Sequence, residues 1–158
     1  MTTNKIFTEE EKNTLFGKPT SEIIFSKIKE GNFSFVLNGI CYIKDDSLVI
    51  NYKFFKHFAG IQTYEIINQY LVSLIDTILE KYSSFTVHLN MNSLTVTQLD
   101  KHRKYLTQLA SILQQKYPDT LSVCYVYDAS FIFSQLFNII SLFVDRVTLN
   151  KIQIVNRI

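Results

Sequence analysis

From residue 85 to residue 155 the hydrophobic period changes back and forth, and that alternation leaves the chain few folds. Residues 85–89 form a short apolar run, and Leu99, Leu106, Leu109, Ala110, Leu113 and Tyr117 then recur at helical spacing up to Pro118. Residues 121–127 (Leu-Ser-Val-Cys-Tyr-Val-Tyr) read as a buried strand, residues 130–144 as a helix apolar nearly all round, and residues 151–155 as a last strand. Upstream, Ile66, Ile67, Tyr70, Leu71, Leu74, Ile75, Ile78, Leu79 and Tyr82 mark an amphipathic helix over residues 62–82, preceded by a strand at 47–52. Strands that alternate with helices pair in parallel through right-handed crossovers. The expected fold class is therefore α/β, a mostly parallel single sheet with crossover helices.

The amino-terminal part reads differently. Thr8-Glu9-Glu10-Glu11 is a capping-box pattern, and Gly17 and Pro19 stop the short helix it opens. Residues 21–30 read as a second helix with Gly31 as its terminator. Residues 33–37 and 40–44 read as hairpin strands joined by Asn38-Gly39, a turn pair that tolerates positive φ, and Asp45-Asp46 makes a further turn. The expected division is a short helical extension over residues 1–32 and one α/β domain over residues 33–158.

With 47% hydrophobic and 19% charged residues in 158, the chain suits a single domain. A domain of this size buries roughly 70% of the surface it exposes when unfolded, which excludes intrinsic disorder. A net charge of +2 is too balanced to argue for nucleic acid. Two isolated cysteines, Cys41 and Cys124, exclude a disulfide scaffold and a four-thiolate zinc site. Residues 1–11 carry Glu9, Glu10 and Glu11 and lack the apolar core of a secretory signal. Residues 129–144 are uncharged but interrupted by Ser130, Ser134, Gln135, Asn138 and Ser141, short of the about 20 apolar residues a membrane span needs. A soluble, cytoplasmic chain is expected.

Signatures of catalysis are missing. Gly17, Gly31, Gly39 and Gly60 are too scattered for a P-loop or a GxGxxG turn, and no Ser sits in a GxSxG elbow. His57, His88 and His102 share no ligand spacing, so neither a metal nor another cofactor is expected. Cys124, mid-strand among apolar neighbours, reads as a structural thiol. Asn90 and Asp128 follow strand ends, where open sheets bind ligands, but each equally suits a cap, Asp128 for the helix after it. Lys101-His102-Arg103-Lys104 spreads around its helix as a solvated face, with an anionic membrane surface as the other reading.

The most specific stretch is carboxy-terminal. Tyr117-Pro118-Asp119-Thr120, the strand 121–127, Asp128-Ala129-Ser130, the apolar helix and Thr148-Leu149-Asn150-Lys151-Ile152 follow one another in an order that resembles the CRAL-TRIO lipid-binding domain. That domain is the module of phosphatidylinositol and tocopherol transfer proteins. The family ends a helix in a Tyr-Pro-Glu-Arg type motif, and here Asp119 stands for the acid and Thr120 for the Arg. Ser130 falls near the place of a family proline, and Thr148 to Ile152 matches a Thr-x-x-Lys-Ile element leading into a strand. The resemblance implies a bowl with the sheet as its floor and the apolar helix as a movable gate over a hydrophobic cavity. It implies alkyl contacts from Phe131, Phe133, Leu136, Phe137, Ile140 and Phe143, and phosphoinositide headgroup contacts from Asp119, Thr148 and Lys151. It further implies a non-enzymatic module, peripheral on membranes, that binds a lipid or another hydrophobic small molecule. Two alternatives stay open. The apolar helix suits a central position packed between sheet and neighbours, and the chain is similar in length to BCH domains of Rho-GAP adaptors, which implies a protein partner or a homodimer without a lipid cavity.

Overall fold

The computed structural model describes residues 5–17 and 19–155. Its elements run α1 (Glu9–Phe16), α2 (Ser21–Lys29), α3 (Phe33–Ile40), β1 (Cys41–Lys44), β2 (Ser47–Asn51), α4 (Tyr52–Phe58), α5 (Tyr64–Leu79), β3 (Phe85–Asn90), α6 (Val96–Lys116), β4 (Leu121–Tyr127), α7 (Ile132–Ile140), α8 (Arg146–Leu149) and β5 (Ile152–Val155). The strands form one sheet in the order β1-β2-β3-β4-β5. β1 is antiparallel to β2 across the Asp45-Asp46 turn, where Asp45 takes the left-handed conformation with φ 58°. β2, β3, β4 and β5 are parallel, with Ile50 opposite Leu89, Leu89 opposite Val126 and Val126 opposite Ile154. The fold is thus the α/β class expected from the pattern.

Strand order decides where the helices lie. Each parallel crossover moves one strand further in the same direction, and right-handed crossovers then put every connecting helix on the same face. Leu48, Val87, Leu89 and Val126 accordingly meet α5, α6 and α7 on one side. Val49, Tyr125 and Tyr127 point to the other side, where α1 and the residues before it cover them with Phe7 and Phe16. The capping box at Thr8 forms as read, with Thr8 Oγ1 accepting from Glu11 N–H and Glu11 Oε1 accepting from Thr8 N–H.

Two local readings are corrected. Residues 33–40 are the helix α3, capped by Asn32, and not a strand with an Asn38-Gly39 turn. Phe33, Val36, Leu37 and Ile40 sit at helical spacing, and Val36 and Ile40 are buried in the core beside Ile24. Gly39 serves close packing, not a turn: a Cβ there would fall 2.1 Å from the Phe54 ring of α4. The hairpin exists one turn later, between β1 and β2. The helix expected over residues 130–144 is shorter, because α7 ends at Ile140 and gives way to a turn. Ser134, Gln135 and Asn138 face outward, so α7 is amphipathic and not apolar all round; the apolar excess lies at its ends, in Phe131, Leu142 and Phe143.

Candidate functional site

The sheet floor is built of medium-sized side chains. α5 lies against β1, β2 and β3, and α6 and α7 approach each other on the same face of the sheet. Side chains of Leu and Val size leave space between these helices and the strands. A void of about 280 Å³ opens between floor residues such as Val87, Cys124 and Ile152, the α6 residues Leu109 and Leu113, and the α7 residues Phe133, Leu136 and Ile140. A second void of about 190 Å³ adjoins it toward the carboxyl ends of the strands, and Ile50, Leu71, Leu89, Leu106, Leu109 and Leu136 border both. Both linings are almost wholly apolar. An apolar space of even ~150 Å³ stays dry and takes up a small hydrocarbon.

Six positions were expected to contact an alkyl chain. Phe133, Leu136 and Ile140 line the larger void. Phe137 is half-buried beside them against the same core cluster. Phe131 is 80% exposed and Phe143 lies at the surface after α7, so neither reaches the void. Of the headgroup positions, Thr148 borders the void where α8 precedes β5, and its N–H donates to Asp145 Oδ1 at 2.8 Å. The Asp145 carboxyl is held below the usual range chiefly by that backbone hydrogen bond, with Lys151 contributing through its charge. Thr148 and Lys151 therefore share one corner. Asp119 sits in the exposed turn before β4, and among the described residues no hydrogen bond or ion pair joins it to either. Gln114 of α6 exchanges two hydrogen bonds with Asp145, Nε2 to Oδ2 at 2.9 Å and Asp145 N–H to Oε1 at 3.1 Å, which clasps α6 to α8 beside the void.

The thiols are unsuited to nucleophilic work. Cys124 borders the larger void, and burial pushes its pKa up to about 12; burial raises Cys41 as well. Among the described residues no cluster of His, Cys, Asp and Glu could hold a metal ion. Asp128 does not cap the following helix as one reading had it. It accepts from Lys12 Nζ at 2.8 Å and from Asn90 Nδ2 at 3.1 Å, tying α1 to the carboxyl ends of β3 and β4. Within the basic cluster, Lys101, Arg103 and Lys104 are exposed, but His102 turns inward.

Sequence reasoning missed three polar side chains at the smaller void. Tyr52 Oη, Gln98 Oε1 and His102 Nε2 are buried without a hydrogen-bond partner, and all three residues line that void. Gln98 and His102 stand at i and i+4 on α6, a spacing that could have signalled a shared face. Tyr52 reads in sequence as the end of a strand, yet it opens α4 and turns its ring inward.

Comparisons with known proteins agree with this architecture. The chain is similar to the solved structure of Sfh5, with a TM-score of 0.66 at 16% identity; the match covers 75% of this chain and 47% of that one. The chain thus spans about half the length of that protein. No curated protein sequence matches it. Residues 40–158 match the model of the CRAL/TRIO domain, a span that takes in the sheet and α4 to α8. The chain belongs to the CRAL/TRIO domain family.

Proposed function

We propose that the chain is a non-enzymatic lipid-binding module that takes the apolar part of one amphipathic lipid into the space between its sheet and α7. The observation that carries this reading is the pair of adjoining apolar voids on the helix-covered face. Together they fall in the range of roughly 300–1,000 Å³ usual for small-molecule sites. Burial of apolar surface at about 25 cal/mol per Å² makes a single alkyl chain the main source of affinity. In this reading Phe133, Leu136, Phe137 and Ile140 meet the chain, while Phe131 and Phe143 flank α7 at the surface. On the same reading α7 and the turn after it form the part that moves, and the Gln114–Asp145 hydrogen bonds fasten the segment that follows to α6. Thr148 and Lys151, with Asp119 in the turn before β4, offer a hydroxyl, an ammonium and a carboxylate to a lipid head at the mouth of the larger void. Residues 33–158 are the binding domain, and residues 1–32 extend it. Among the described residues no helix is long and apolar enough to cross a membrane. The proposal places the chain in the cytoplasm, meeting bilayers peripherally to load and unload.

Native mass spectrometry of the expressed protein tests this. Adducts of lipid mass, or uptake of lipid from vesicles, are expected. A bare chain mass together with no uptake overturns the proposal. One observation favours a second reading: among the described residues β5 is the edge strand of the sheet, with Ile154 49% exposed, and such an edge can pair with another chain. A lipid-free dimer by light scattering supports that reading in place of the first.

A further inference from the structure

The two voids share part of their border and differ in the rest of the wall. Gln114, Val144 and Thr148 border the larger void alone and are half-buried, which leaves it partly open to solvent at the corner where α6 meets α8. Tyr52, Phe55, His102 and Tyr105 border the smaller void alone. The Phe55 ring stands in the middle of this group, its centre 6.1 Å from that of Tyr52, 5.0 Å from that of His102 and 5.9 Å from that of Tyr105. Tyr64 backs it, stacked on Tyr105 at 4.0 Å between ring centres and hydrogen-bonded to His102 Nδ1. Tyr105 Oη in turn donates to Asn68 Oδ1 at 2.7 Å. Rings from α4, α5 and α6 are thereby locked to one another, and Tyr52, His102 and Tyr105 are at most 5% exposed.

Volume sets how much chain this space takes. An apolar cavity of about 150 Å³ takes one benzene, which is about 25 Å³ for each carbon. On that scale the void of about 280 Å³ takes about 11 carbons and the void of about 190 Å³ about 8. One alkyl chain of roughly 16 to 18 carbons fills both. The two chains of a diacyl lipid carry about twice that number. The second chain would stay outside, with its apolar surface against water. Growth of the space past the smaller void is blocked by the interlocked rings, since none of them can turn aside without breaking a stacking contact or a hydrogen bond with its neighbours.

We propose that the site takes a lipid with a single alkyl chain, inserted tail first from the corner of Gln114 and Thr148, and that the rings around Phe55 are the stop that sets the length of chain accepted. The inference rests on the lipid-binding reading and narrows it to single-chain amphiphiles. Up to the stop, each further methylene buried raises affinity about 4-fold. Beyond it, added carbons stay at the mouth and gain little.

Two readouts on the full chain test the limit and the stop. In the first, the protein is incubated with vesicles of dipalmitoylphosphatidylcholine alone, or with the same vesicles doped with palmitoyl-lysophosphatidylcholine, and native mass spectrometry reads the adducts. The lysolipid adduct is expected from the doped vesicles and no diacyl adduct from either. In the second, lysophosphatidylcholines of increasing chain length displace a bound apolar fluorophore, each below its micelle threshold. Affinity is expected to rise about 4-fold per methylene up to roughly 16 to 18 carbons and then to level off. Phe55→Ala removes the ring in the middle of the stop and should carry the rise on to longer chains, with Phe55→Leu in its place should the Ala variant fail to fold. Leu94→Phe adds volume to the smaller void alone and should end the rise at shorter chains. Thermal melts of the unliganded variants establish which are folded. Diacyl adducts overturn the single-chain limit while the lipid-binding reading stands. A levelling-off that stays at the wild-type length in a folded Phe55 variant overturns the stop. No adduct of either lipid and no displacement at any chain length overturn the lipid-binding reading itself.

Discussion

His88 shows how one residue ties the back of the sheet together. Its ring is 1% exposed and stacks on Phe7 at 3.8 Å between ring centres. Phe7 N–H donates to Tyr127 Oη at 3.0 Å, and that hydroxyl is hydrogen-bonded to His88 Nδ1 at 2.8 Å. Burial of the ring favours the neutral imidazole. Burial, aided by the charge of Lys44, holds the His88 pKa down to about 4. In the unfolded chain the same ring titrates near its ordinary value, about 6.5. The stability it supports is therefore fully present above pH 6.5 and declines as pH falls toward about 4, by at most about 1.4 kcal/mol per pH unit for one site. Urea midpoints at pH 7, 6 and 5 should fall more steeply for the wild-type chain than for His88→Leu. Parallel pH profiles for the two would remove His88 as the cause. From sequence alone His88 falls within the short apolar run 85–89, but its partners cannot be read, because Phe7 and Tyr127 lie 81 and 39 positions away along the chain.

At the scale of elements, the legible parts were those whose pattern repeats over several turns or alternates cleanly. α5, α6, β4 and the crossover order followed from periodicity. α3 did not, because Asn38-Gly39 is a strong local turn signal and outweighed a helical spacing only eight residues long. What overrides the turn is tertiary: α3 packs against α4 so closely that only Gly fits at residue 39 over the Phe54 ring. Gly39→Ala is expected to destabilise the chain by about 1–3 kcal/mol, the usual cost of overpacking. The paired change Gly39→Ala with Phe54→Leu should recover part of that loss, measured by chemical denaturation. A single change of no consequence would show that α3 and α4 can move apart freely. The voids were legible only as an implication of the family resemblance. How much space α6 and α7 leave above the strands depends on how side chains from distant segments meet, and hydrophobic period carries no information on that distance.

Over the whole molecule, the strand order separates stability from binding. All connecting helices share one face, so the space for a ligand lies there, while the opposite face is closed by α1 and the residues before it. Phe7, Phe16, Lys12 and the Lys44–Glu11 ion pair hold that closure. A lesion on the back should lower stability without reshaping the voids. A lesion that fills the front should do the reverse. Phe7→Ala empties the contact with His88 and Tyr127 and is expected to cost up to about 3 kcal/mol, with lipid affinity unchanged once the chain is folded. Leu136→Phe adds volume at a side chain that borders both voids. It should leave the melting temperature of the unliganded chain within a few degrees of wild type and abolish the rise that lipid produces. That rise has a predictable size, since a ligand at 100 times its Kd stabilises the folded state by about 2.7 kcal/mol. Thermal melts of the wild-type chain and the two variants, each with and without lipid, give the comparison. Loss of the lipid-induced rise in Phe7→Ala, at temperatures where that variant is folded, would mean that the two faces are coupled through the sheet and that the strap over the back takes part in binding.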